Sequence, residues 1–193
     1  MAPEWSPDGS TYHLGLVQTL YRAHGFIPIT TDFYKNMPAG IEMLFLPAFA
    51  FGRHSAGAMV HFQFLLALPV LIAAFGRRFR FPEAGVIAAL LVFASPVAGI
   101  DGTSAYVDIG LTAVLFALFY LLQIWDEDRG GNFLVAAGIL AGFAFAIKYT
   151  GGVGLIYALL FVGWRRRRTG LPVVKPLATL TAFALLSILP WTL

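Results

Sequence analysis

Cysteine does not occur in the chain. That removes any disulfide framework and any thiolate metal site, and it leaves the redox compartment unread. Charge is scarce too: 12% of residues are Asp, Glu, Lys or Arg, against roughly 25% in soluble domains. With 59% hydrophobic residues and a mean hydropathy of +0.77, an ordinary soluble domain is excluded. The four histidines, His13, His24, His54 and His61, show no ligand spacing such as HxxxH, so no metal site is expected. The opening "MAPEWSPDGS" lacks both a basic n-region and an apolar h-region, so no cleavable signal peptide is read there. No inverted repeat relates the two halves of the sequence.

What the chain does have is long apolar runs. Those at 56–76, 82–100 and 103–125 approach the ~20 residues that a helix needs to cross a bilayer, and further runs lie at 132–147, 151–164 and 172–193. The reading is an all-α, polytopic transmembrane helical bundle of about six spans, with 1–55 forming an extracytoplasmic loop and 56–193 the spans. The net charge of +3 does not point to nucleic acid, because the arginines cluster in "GRRFRF" (76–81) and "RRRRTG" (165–170), directly beside apolar runs. Counting spans alternately puts both clusters, with the loop "DEDRGGN" (126–132), on the cytoplasmic side, as the positive-inside rule expects. The segment 1–55, the short loop 99–105 and the turn "KYTGG" (148–152) then share the opposite face.

Within 1–55, "STYHLGLVQTLYRAHGF" spaces Leu14, Val17, Leu20 and Tyr21 on one helical side, with Ser10 as its cap. The run 41–52 is too short to span and is expected to break at Pro47. Both helices are expected to lie at the membrane surface.

Several polar residues ask for a reason. Asp8, in "SPDG", suits a β-turn. Asp108 stands about a turn and a half inside an apolar run, where an ionised group needs a polar cavity or a partner, although a helix N-terminus would also favour it. Asp101 is read as a loop acid without such a cost. Lys148 stands between two apolar runs that are each short of a full span. It is either a snorkelling lysine or a site for an anionic headgroup, helped by the amides of the Gly151–Gly152 turn. Glu42 has Arg53 or Lys35 as candidate partners, or is solvated.

The order of these pieces resembles the polytopic glycosyltransferases of the GT-C superfamily, especially family 39 with its protein mannosyltransferase and aminoarabinose transferase types. The likeness rests on "SPDGSTYHL" in the place of the acidic first outer loop, "YKNMPAGIEML" for Asn-x-Pro followed by an acid, "AYVDIGL" for Tyr-x-Asp, and "LAGFAFAIKYTGG" for a Gly-rich helix ending in Lys. It implies a sugar on a polyprenyl phosphate as donor and a lipid, glycan or protein hydroxyl as acceptor. It also implies an inverting displacement at the outer face of a bacterial inner (plasma) membrane, and no cofactor. Asp8 would be the general base. Lys148 would stabilise the leaving phosphate, Asp108 would hold a sugar hydroxyl or the lysine, and Tyr12, His13, Asn36 and Glu42 would line the mouth. Family members place a span before the acidic loop and more spans after these, so the chain is expected to be a piece of a larger enzyme. Two other readings stay open: a transporter or flippase module with Asp108 and Lys148 as coupling charges, and a non-catalytic assembly subunit.

Overall fold

The computed structural model describes residues 4–29, 32–128 and 131–191; Arg129 and Gly130 of the expected 126–132 loop and the side chain of His54 lie outside what is described. Among the described residues every regular element is helical. A π-helical turn, Gly9–His13, leads directly into α1, Leu14–Ala23. There follow α2, Gly40–Arg78; α3, Pro82–Phe93; α4, Pro96–Thr103; α5, Asp108–Asp128; α6, Gly131–Ile147; α7, Gly152–Arg168; and α8, Val174–Ile188. The chain divides into two compact units, Met1–Ala113 and Val114–Leu193, with the boundary inside α5.

In the first unit α1 buries Leu14, Val17 and Leu20, as its spacing predicts, and Leu16 besides, while Tyr21 is half-buried. It packs on α2, where Leu14 lies so close to Gly57 that a Cβ there would come within 2.9 Å of Leu14 Cδ2. Pro47 does not break α2; the break falls at Arg53, whose φ of 59° and ψ of −145° are a conformation normally left to glycine. Its guanidinium lies over the rings of Tyr21, at 5.1 Å, and Phe49, at 5.8 Å, contacts that offset part of the strain. Both α3 and α4 start on proline, whose fixed φ and missing N–H suit a first helical turn. The helix start is corrected as well. Residues 7 and 8 are already helical, so Asp8 does not sit in a β-turn, and Ser10 is no cap: its hydroxyl donates back to the Ser6 carbonyl at 2.7 Å.

Among the described residues, three helical segments are long and apolar enough to cross a membrane: Ser55–Arg78, Asp108–Asp128 and Val174–Trp191. The run 82–100 is instead α3 and α4, bent by 63° at their joint, so the count is three, or four if the bent pair is one span. At 17 residues each, α6 and α7 reach about 25 Å, short of a ~30 Å hydrocarbon core. Six full-length spans are therefore not found among the described residues. The second unit is held by α6 against α8. Gly138 and Gly142 let the backbones touch, and a Cβ on Gly138 would stand 2.5 Å from the Leu180 carbonyl oxygen. Such close approach supplies dispersion contact where lipid provides no hydrophobic drive between helices. Around it Leu118, Leu122, Trp125, Leu134, Ala158, Val162 and Leu180 form one core.

Candidate functional site

Polar side chains from three separate segments of the first unit, Glu4, His61 and Asp101, meet at the head of α5. That head has an unusual cap. The first amides of a helix lack acceptors within it, and the residue before Asp108 is Val107, whose side chain has no acceptor to give. The acceptors come from other helices. Asp101 of α4 takes the Ile109 amide on Oδ2 at 2.7 Å, and His61 of α2 takes the Gly110 amide on Nε2 at 3.2 Å.

His61 is fully buried. Its Nδ1 lies 2.9 Å from the Ser104 carbonyl and 3.1 Å from that of Asp101. Carbonyls only accept and an amide only donates, so the partners assign the proton to Nδ1 and leave the lone pair on Nε2. The neutral ring thereby clamps α2 to both sides of the α4–α5 joint. At Gly110 a Cβ would run into Ile41 Cδ1, so a larger residue would require the end of that side chain to move. Glu4 secures the same joint from the N-terminal side. Its Oε2 accepts the Ala105 amide at 2.6 Å while Oε1 accepts from the Ser6 hydroxyl at 2.6 Å and the Ser6 amide at 2.9 Å. Partial burial pushes the Glu4 carboxyl up, but the hydrogen bonds from Ser6 and Ala105 outweigh it and hold it below the ordinary 4.5.

Asp108 itself is exposed, and it is the first residue of α5, not a residue a turn and a half inside it. It lines a groove of about 550 Å³ together with Ser95, Asp101, Tyr106 and Thr112. Asp101, read from sequence as a loop acid, is within α4 and half-buried.

Next to this groove lies the residue that ties the expected site together. Tyr12 is stacked on Tyr34, with ring centroids 5.3 Å apart, and leans on His13 at 4.2 Å. Its phenol is pushed up to about 12, first by burial and then by the negative charges of Asp8, Asp108 and Glu42. The negative charge of three carboxylates from three separate segments thus acts on one hydroxyl, which stays protonated and able to donate. Asp8 is exposed and forms no hydrogen bond or ion pair with a described residue, which leaves both its oxygens available.

His13 and Glu42 are both buried, at 5% exposure each, and meet at 2.6 Å between Nδ1 and Oε1. Glu42 pairs with neither Arg53 nor Lys35, contrary to the sequence reading. Its other oxygen, Oε2, is buried with no hydrogen-bond partner among the described residues. Asn36 serves its own loop, donating to the carbonyls of Ile29 at 2.6 Å and Asp32 at 2.9 Å. The structure thus groups Asp8, Tyr12, His13, Glu42 and Asp108 in the first unit, whereas Lys148 belongs to the second.

Lys148 is exposed, in extended backbone between α6 and a 3₁₀ turn, Tyr149–Gly151. The amides expected to join it in holding an anion are already used: the Gly151 amide donates to the Lys148 carbonyl at 2.8 Å, and that of Gly152 turns back to Tyr149 and Thr150. Sequence reasoning missed Glu4, Tyr34, Asp101, His61 and Tyr106. For His61 the signal was present, a polar residue inside an apolar run, the same signal that drew notice to Asp108.

Residues 43–193 match the family model of the dolichyl-phosphate-mannose-protein mannosyltransferases. No curated protein and no solved structure matches the chain. The match covers more than half of the sequence, and the chain belongs to this family of GT-C-type membrane glycosyltransferases.

Proposed function

From that membership we propose that the chain carries the reaction centre of a glycosyltransferase that moves a sugar from a polyprenyl-phosphate donor to a hydroxyl of a lipid, glycan or protein. The transfer is inverting and takes place at the extracytoplasmic face of a bacterial inner membrane. The observation that carries this reading is the open groove lined by Asp101, Tyr106 and Asp108, with burial and the charges of Asp8, Asp108 and Glu42 together raising the Tyr12 phenol.

Asp8 takes the proton of the acceptor hydroxyl as that oxygen attacks the anomeric carbon. The bond from that carbon to the phosphate oxygen breaks, and its electron pair leaves with the polyprenyl phosphate. Positioned proton transfer of this kind is worth ~10²- to 10⁴-fold. For Lys148, in the second unit, the family likeness implies a task of its own, balancing negative charge on a lipid phosphate. Asp108, at the groove, accepts from a sugar hydroxyl, and Tyr12 donates to one. The exposed face of Tyr34 offers an aromatic surface to the C–H face of the ring. Buried His13 and Glu42 fix the helical turn on which Asp8 and Tyr12 stand, and Asn36 shapes the loop carrying Tyr34.

The test is transfer of labelled sugar from a polyprenyl-phosphate donor in membranes, comparing wild type with Asp8→Asn at matched insertion. A loss of at least ~10²-fold supports Asp8 as the base. A variant as active as wild type removes Asp8 from the chemistry and the proposed mechanism with it.

A further inference from the structure

At the arginine-bearing end of the second unit cations outnumber the three acids, Asp126, Glu127 and Asp128. After Asp128 the sequence contains no aspartate or glutamate, while Arg165, Arg166, Arg167, Arg168 and Lys175 follow. Arg165 engages both oxygens of Asp126, through Nε at 2.6 Å and through a second nitrogen of its fork. Arg166 is turned instead onto the Trp125 ring, 5.4 Å from its centroid. Its Nε is buried and finds no acceptor among the described residues. An enclosed N–H of a charged group without an acceptor is costly, so the site calls for an anion from outside the chain.

Arg166 opens onto a cavity of about 320 Å³ whose other walls are Leu134, Pro172, Lys175, Pro176 and Thr179. Two cations and no carboxylate line it. The Thr179 hydroxyl donates to the Lys175 carbonyl at 3.0 Å, so the cationic donors are Arg166 and Lys175. Lys175 lies in the first turn of α8, at the start of the candidate span Val174–Trp191, only 17% of whose apolar window is buried. Val174, at 81% exposure, and Trp164, at 49%, flank this end as exposed apolar surface. The cavity thus opens beside the start of a candidate span whose apolar residues are largely exposed.

We infer that this cavity binds the phosphate of an anionic phospholipid. The Arg166 fork donates to the phosphodiester oxygens, Lys175 adds a second charge, and Leu134, Pro172 and Pro176 receive the glycerol and the first methylenes. The apolar walls favour a lipid phosphate over free phosphate. The site is independent of the proposed transfer chemistry.

Native mass spectrometry of the purified full-length protein in detergent, titrated with phosphatidylglycerol or phosphatidylcholine, tests it. Phosphatidylglycerol is expected to bind preferentially, about five-fold weaker in Lys175→Gln and about 25-fold weaker in Arg166→Gln/Lys175→Gln, from about five-fold per cation near an anionic headgroup. Arg167→Gln, an exposed arginine outside the cavity walls, should bind as wild type does. Lys175 is exposed, so the single variant remains informative if the double variant misfolds. Equal binding of the two lipids, unchanged affinity in Lys175→Gln, or an equal loss in Arg167→Gln overturns the proposal. Inorganic phosphate alone displacing the lipid at similar concentration overturns the assignment to a lipid.

Discussion

Replacing His61 with phenylalanine keeps a planar ring in a fully buried position and removes both nitrogens. The Gly110 amide then loses its acceptor and the Ser104 carbonyl its donor, whereas the Asp101 carbonyl keeps the Ser104 amide at 3.1 Å. Two buried polar groups are stranded, each at about 1–3 kcal/mol, partly offset by the extra apolar ring, so the first unit should lose about 2–4 kcal/mol. His61→Gln, which carries both a donor and an acceptor, should recover part of that. The assay is unfolding by denaturing detergent in mixed micelles, followed by circular dichroism, with donor transfer measured alongside. Transfer should fall as well, because Asp108 stands only two residues before Gly110 on the same helix head. A change below about 0.5 kcal/mol for His61→Phe would refute the clamp and the tautomer assigned to it.

Three further outcomes follow from the same geometry. His13→Ala removes the one partner Glu42 has among the described residues and should cost about 3–5 kcal/mol; a double-mutant cycle with Glu42→Ala should show strong coupling, and additive effects would dismiss the pair. Glu4, held below 4.5, contributes its tie to Ala105 fully above that pH and loses it as pH falls through the lower folded value. Pepsin cleavage within residues 4–13, normalised to an unstructured peptide, should therefore rise below pH 4.5 in wild type, with Glu4→Gln lacking that dependence. Gly142→Val drives a side chain into the α8 backbone at Ala184, and unfolding should show a loss of about 1–3 kcal/mol from overpacking.

The helices and their order are legible in the apolar runs, and Leu14, Val17 and Leu20 announce the buried face of α1. Boundaries that depend on partners far along the chain are not. Asp108 looked internal because the apolar run begins near 103, yet the helix starts where Asp101 and His61 hold its amides, eight and 49 residues from those they bond. Glu42 had two basic candidates in sequence. Burial instead gave it His13, which local charge counting ignores because imidazole is neutral in the formal tally. The break in α2 was assigned to Pro47 by the usual rule for proline, but Arg53 takes it, where cation–π contact compensates an unfavourable backbone. Nothing local in "SPDG" or "YVDIG" links Asp8 with Asp108, and only the family likeness sets them in one expected site.

The acceptors at the head of α5 share one property that bears on biosynthesis. Glu4, His61 and Asp101 all precede the amides of Ala105, Gly110 and Ile109 that they receive. A ribosome making the chain from its N-terminus delivers every acceptor before the donor that needs it. When α5 emerges, its seat is already built. The order of synthesis and the order of assembly then run in the same direction, and the first unit has no need to wait for the second.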